Sequence, residues 1–419
     1  MIVPLILTVI LLFLGEYLFI TTAAVTIYNM HYISQLNSAI IFGEFYRLTS
    51  APLLVAIPLF IFSGYLLSET KAPNRLIEFT DALVGWLPGG HLIVLILSYA
   101  VFTPLTGASG ITVVALGGVL YPALMEKQYN EKFVLGLITG AGILGILLPP
   151  SLPVIIYGMV TETDVKLLFV GGLLPSLLMI FVFAIYSLMK GTRNIQAGKF
   201  SFSKLLSSTG KIIWELPIPF ITLGGIYSGT FTVAEASAVM CFYLVIVEVF
   251  ILKDIKLSEL PRVIRDSMVM VGSIVMILGM ALALTNFLVD QEVPMKFFNF
   301  IKVHFASKYA FLLIMNLFLL VVGCTMDIFS AIIVVMPIIK PVAIAFGIDP
   351  ILTGVIFITN LSIGYITPPV GVDLFLAQIR FGKPYASIVR AVLPFLIISL
   401  VTLLLITYVP NLSTLLLRQ

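Results

Sequence analysis

Apolar residues fall in long blocks along this 419-residue chain, separated by short polar joints. A helix of about 20 mostly apolar residues is long enough to cross a bilayer. On that measure the sequence predicts helices at 2–27, 51–68, 133–160, 167–189, 213–228, 232–252, 267–289, 348–380 and 387–408. Two of these blocks contain a double proline, Pro149-Pro150 and Pro368-Pro369. A helix cannot run unbroken through Pro-Pro, because two N–H donors are lost and the rings clash with the preceding turn. Two further apolar stretches, 91–125 and 310–345, carry a small polar joint in the middle. The joints are Thr106-Gly107-Ala108-Ser109-Gly110 and Gly323-Cys324-Thr325-Met326-Asp327. Each stretch has room for two half-helices and a turn, and reads as a re-entrant hairpin. The alternative is a pair of ordinary close-packed helices, since small residues are common where membrane helices touch.

The pattern repeats. One offset of 219 residues separates Gly145 from Gly364, Pro149 from Pro368, and Pro175 from Pro394. Before each hairpin lies a segment that opens near a proline and mixes charged with bulky apolar residues, at about 73–86 and 294–306. Such segments suit arms lying in the membrane interface. The expected fold is an all-α polytopic membrane protein with two repeats. Residues 1–189 form the first, 190–231 a cytoplasmic loop and linking helix, and 232–419 the second. Four crossings per repeat plus one linking helix make an odd number, so the second repeat is expected upside down, as in elevator-type ion transporters.

Composition agrees: 60% of residues are hydrophobic and only 10% charged, and the mean hydropathy is +1.16. Soluble domains carry roughly 25% charge. The net charge of +3 matters less than its distribution. Loop 190–211 holds Lys190, Arg193, Lys199, Lys204 and Lys211 with no acid, and loop 253–266 holds Lys253, Lys256, Arg262 and Arg265. Placing both inside follows the positive-inside rule. Lys296, Lys302 and Lys308 then fall outside, against it. The first 27 residues lack a basic start and read as a spanning helix, not a cleaved signal. Cys241 and Cys324 both sit in apolar segments and suggest neither disulfide nor metal site.

Broken membrane helices expose carbonyls at one end and N–H groups at the other, which suit Na⁺ and carboxylates respectively. Sodium is hard and takes oxygen ligands, by the reasoning that applies to other hard cations. Its candidate ligands are Thr106, Gly107 and Ser109 with Gly142 and Gly145 in the first half. Thr325 and Asp327 with Asn360, Ser362 and Gly364 are the candidates in the second. Candidates for substrate contact are Ser109, Pro150, Ser151, Thr367 and Pro368. Asp327 stands out, because an ionisable group at membrane depth is a functional candidate; a helix cap is the plainer role and is compatible. Asp373 follows the second Pro-Pro and reads as a partner of a helix dipole. Lys340, 13 residues after Asp327, is expected either to pair with it or, preferably, to snorkel to the outer surface, and Glu16, Glu235 and Glu248 to hydrogen-bond within a scaffold or to a partner subunit. His31, His91 and His304 fall near helix ends and arms, where interfacial packing accounts for them. No phosphate-binding Gly-x-x-x-x-Gly-Lys and no Gly-x-Ser-x-Gly occurs, so neither a nucleotide-driven pump nor an enzyme is expected.

The stretches Phe102 to Thr112, Gly145 to Gly158, Gly323 to Asp327 and Asn360 to Gly371 resemble the large membrane subunit of tripartite ATP-independent periplasmic (TRAP) transporters. The resemblance covers essentially the whole chain. It implies Na⁺-driven import of organic acids such as C4-dicarboxylates, sugar acids or keto acids across a bacterial or archaeal cytoplasmic membrane. It also implies two partners: a small four-helix membrane subunit and a periplasmic substrate-binding protein. No nucleic-acid partner is expected. One departure is Thr230-Phe-Thr-Val-Ala-Glu235, where the family often has Thr-Pro-Thr-Glu; it concerns scaffold packing. The alternative is a self-sufficient sodium/divalent-anion symporter of the related fold.

Overall fold

A computed structural model describes residues 23–24, 26–28, 39–191, 199–292, 295–296, 299 and 307–418. The expected helix 2–27 and second arm 294–306 lie almost wholly outside these residues, as do Glu16, His31 and His304. All described elements are helical. In order they are α1 (Ala39–Thr49), α2 (Pro52–Glu69), α3 (Ala72–Val84), α4 (Gly90–Thr106), α5 (Ser109–Glu126) and α6 (Glu131–Ala141). Then come α7 (Leu152–Thr161), α8 (Val165–Gly191), α9 (Phe202–Ile212), α10 (residues 217–228) and α11 (Val233–Ile251). The chain continues through α12 (Leu260–Asp290), α13 (Lys308–Thr325), α14 (Ile328–Ala345), α15 (Pro350–Gly364), α16 (Val372–Phe381) and α17 (Tyr385–Tyr408). A last turn, α18 (Asn411–Thr414), follows.

Among the described residues seven helices are long and apolar enough to cross a membrane: α5, α8, α11, α12, α13, α14 and α17. Local signals set their ends. Asn130 caps α6 by accepting from the Phe133 N–H at 3.0 Å. Asp349 caps α15, with Pro350 in the first turn where its missing N–H costs nothing. Thr232 and Glu235 form a reciprocal capping box on α11. The departure noted at 230–235 is therefore a helix start, and Glu235 is spent on it.

Four features differ from the sequence reading. A helix, α1, precedes α2 and meets it at 69°. The loop 190–211 contains the amphipathic helix α9, which packs along α3. The linking helix 213–228 begins as a turn and runs through a π-helical stretch, Phe220–Gly224. The first break starts at Gly142, well before its prolines, because tight turns take over: the N–H groups of Leu144, Ile146 and Leu148 donate to the carbonyls of Ala141, Ile143 and Gly145. Both Pro-Pro bonds are cis.

The two halves interlock. The second arm of each helix-turn-helix pair packs on the post-break helix of the other half: α5 on α16, and α14 on α7. Helices α11 and α12 both pack on α2. Arg75 of α3 is clamped by three acids whose side chains are largely hidden from solvent: Glu215, Glu248 at 3.1 Å and Asp254 at 2.5 Å. Glu248 thus bonds to the arm. Lys340 donates to the Thr161 carbonyl at the end of α7, where a cation offsets the helix dipole. Its amine therefore does not pair with Asp327.

Candidate functional site

Small residues bring the tips and breaks together. Gly107 turns the first tip with φ +70°, a backbone that suits glycine. Thr106 Oγ1 lies 3.1 Å from Thr112 Oγ1 and knits that turn closed. Thr103 Oγ1 donates to the Gly142 carbonyl at 3.3 Å, tying α4 to the first break. Gly145 lies against α4 and Gly364 against α13, in each case the first helix of a helix-turn-helix pair. A Cβ on Gly145 would stand 2.9 Å from the Ala100 carbonyl; one on Gly364 would stand 2.3 Å from the Gly323 carbonyl carbon.

The second break joins both tips. Tyr365 OH accepts from the Ile328 N–H at 2.7 Å, at the start of α14. The Gly371 N–H donates to the Cys324 carbonyl at 3.2 Å, and the Asp373 N–H to the Tyr365 carbonyl at 3.1 Å. From the first tip, Ser109 Oγ donates to Asp373 Oδ1 at 2.9 Å. Segment 365–373 therefore touches the first tip through Ser109 and the second through Cys324 and Ile328.

Of the candidate sodium ligands, Ser109 and Gly142 meet around Asp373. Thr106 and Gly107 form the turn beside them. Gly145 is packed on α4, and Gly364 on α13. Thr325 and Asp327 are exposed at the second tip. Asp327 caps α14, accepting from the Ser330 N–H at 3.0 Å and from its hydroxyl. Asn360 lies elsewhere: its amide donates to Asn316 Oδ1 at 2.6 Å, and Asn316 donates to Thr407 at 3.0 Å. This chain binds α15 to α13 and α17. Ser362 donates to its own helix at Ile358 and borders a cavity of about 20 Å³ shared with Thr359, Ser176 and Leu147.

Of the candidate substrate contacts, Ser151 is buried and donates to the Ile146 carbonyl inside the break. Pro150 is buried beside it. Thr367 and Pro368 are half-buried, and Thr367 donates to the Ile363 carbonyl. A larger crevice of about 520 Å³ opens elsewhere, between the α1–α2 corner, Leu282 of α12 and the α7–α8 turn; Arg47, Glu162 and Asp164 border it. Sequence reasoning missed two features. Asp373 is completely buried and faces Ser109; the signal was an acid in the first turn after Pro-Pro. The acids around Arg75 come from two distant stretches, Glu215 before α10 and Glu248 with Asp254 at the end of α11, so their meeting left no local signal.

These helices and interlocked breaks define an all-helical, multi-pass membrane protein. The match to the family "Tripartite ATP-independent periplasmic transporter, DctM component" spans residues 1–412. The chain belongs to that family of TRAP transporter large permease subunits, which are transporters and not enzymes. It is 37% identical over 362 residues to the C4-dicarboxylate TRAP transporter large permease protein DctM of Pseudomonas aeruginosa, covering 86% of this chain and 85% of that one. It is 31% identical to the isethionate TRAP transporter permease protein DctMQ of Oleidesulfovibrio alaskensis, over 85% of this chain and 57% of that longer protein. Against the ectoine/5-hydroxyectoine large permease protein UehC of Ruegeria pomeroyi identity is 30%, over 86% and 85%. Among solved structures, the Alcanivorax borkumensis YdaH transporter matches with a TM-score of 0.55 at 13% identity, over 90% of this chain and 89% of that one; it supports the fold alone.

Proposed function

We propose that this chain is the transport subunit of a sodium-driven importer of small organic anions, working in the cytoplasmic membrane. A periplasmic binding protein delivers the substrate, and a small membrane subunit packs on the scaffold. Relatives named for C4-dicarboxylate and isethionate transport support an anionic substrate, while those named for ectoine widen the class to compact, charged solutes. The permease protein named DctMQ is much longer than this chain, which fits a small subunit fused to a large one.

The observation that carries this reading is the meeting of both tips at segment 365–373. In this account α4–α5 and α13–α14 are re-entrant hairpins of two inverted repeats, with boundaries near 1–189 and 232–419. Hairpins and broken helices move together as an elevator against α2, α11 and α12. Oxygen groups at the tips bind Na⁺, with Asp327, Thr325 and Gly364 at the second and Ser109, Thr106 and Gly142 at the first. Ser151, Thr367 and the adjoining prolines border the substrate.

Omitting components from reconstituted vesicles tests this reading. Uptake of a C4-dicarboxylate, isethionate or ectoine should need the chain, its small membrane subunit and its binding protein together. Full-rate import by the chain alone would favour the self-sufficient symporter.

A further inference from the structure

Among the described residues, Asp373 is a fully buried acid with no basic partner. It is 0% exposed. Ser109 satisfies Oδ1, but Oδ2 has no hydrogen-bond partner and is itself buried. Among the described residues no Lys, Arg or His lies within ion-pair distance of it. Burying an unpaired carboxylate is costly, and proteins normally meet that cost with a cation or a proton.

The plain account is a helix-dipole role, since Asp373 lies in the first turn of α16. Its side chain, however, bonds across to α5 of the other half. Oδ2 points at Gly142, at the end of α6. A Cβ placed on Gly142 would stand 2.8 Å from Asp373 Oδ2 and 3.5 Å from the Thr139 carbonyl oxygen. Only a residue without a side chain leaves that place to the carboxylate. Thr139 belongs to the last turn of α6, where carbonyls run out of helical partners. One carboxylate and one hydroxyl, from α16 and α5, thus meet beside Gly142 at the carboxyl end of α6, in a buried place.

We propose that Asp373, Ser109 and the Thr139–Gly142 helix end form a site for a small monovalent cation, Na⁺ in the first place. The site is shared between the two halves: the second supplies its charge and the first its neutral oxygens. This rests on the sodium-driven reading above and adds to it a ligand that the repeat pattern does not supply, because residue 154, the repeat partner of Asp373, is valine. The cation neutralises the carboxylate and holds the first tip to α16.

The purified chain tests this by thermal unfolding in NaCl against choline chloride, without any transport assay. Wild type should be stabilised by Na⁺. Asp373→Asn, nearly isosteric, should melt at or above wild type in choline, because an unpaired buried charge is gone. Its Na⁺ midpoint should rise at least tenfold. Ser109→Ala, which keeps the carboxylate, should raise the midpoint several-fold and decides the matter if Asp373→Asn does not fold. A wild-type Na⁺ midpoint in Asp373→Asn, or in Ser109→Ala when the first does not fold, overturns the site yet leaves a sodium-driven mechanism through the second tip. No Na⁺ effect on wild type itself overturns both.

Discussion

Gly364 sits where the second break packs tightly on Gly323 at the second tip. Alanine there would put a methyl 2.3 Å from the backbone of Gly323, and backbone cannot swing aside. Overpacking a tight core costs about 1–3 kcal/mol and occasionally more, so Gly364→Ala should lie at the top of that range and markedly lower the melting temperature. Gly118→Ala is the contrast. Its methyl would first meet the guanidinium of the exposed Arg380 side chain, which can move by giving up its 3.2 Å bond to the Val114 carbonyl. Alanine is also the better helix former by about 1 kcal/mol. Its melting temperature should match wild type in the same assay; equal losses in the two variants would refute the packing argument. Asp327→Ala should raise the Na⁺ concentration for half-maximal uptake while leaving membrane insertion intact, and an unchanged Na⁺ dependence would remove Asp327 from the ion site. In the sequence Gly145 and Gly364 stood out through their shared offset, and Asp327 through its charge within an apolar stretch. Partnership was not legible. Asp373 meets Ser109 across 264 residues of chain, and Asn360 turns to Asn316; no local pattern tells which face of a helix meets which neighbour.

At the scale of elements, long apolar blocks announced most of the described helices within a few residues, but the first break opens at Gly142, well before its prolines, and α12 starts at Leu260, ahead of the expected 267. Short elements escaped. Helices α1 and α9 have 11 residues each, too few to register as spans. Helix α9 reveals itself only through its partners: Lys204 meets Asp81 at 2.5 Å and Lys211 meets Glu78 at 2.6 Å, both on α3. These pairs are half-exposed or more on the lysine side and are worth about 0–1 kcal/mol. The Arg75 cluster is a different matter, with Arg75 at 12% exposure and Glu248 at 0%. Removing the one cation leaves three largely hidden acids in mutual repulsion, and breaking a buried pair this way costs about 3–5 kcal/mol. Arg75→Ala should therefore lose folded protein in detergent, measured by size exclusion and melting. Adding Glu248→Gln should recover part of the loss. A melting temperature equal to wild type for Arg75→Ala would show that the cluster does not hold α3 in place.

At the scale of the whole molecule, the constant 219-residue offset predicts similar packing of Gly145 and Gly364, and each does lie in close contact with a neighbouring helix. The cross-exchange between halves, α5 on α16 and α14 on α7, was not legible, because it depends on how the repeats nest. That exchange ties the pairs α4–α5 and α13–α14 to the post-break helices, and it is the support for the proposed rigid motion against the scaffold. Moving the unit whole keeps its buried polar groups paired, whereas opening a tip toward lipid would expose them. With Cys241 and Cys324 replaced, cysteine pairs joining α2 to α4 should stop uptake when cross-linked, while pairs joining α13 to α15 should be tolerated. Uptake that survives the first cross-link would point to a local gate. The central claim is that Na⁺ drives import through this chain, and its most direct measurement is uptake into vesicles holding the permease and its small subunit, with binding protein outside. An inward Na⁺ gradient should produce accumulation that a sodium ionophore abolishes. Equal accumulation without Na⁺, driven by a proton gradient alone, would contradict it.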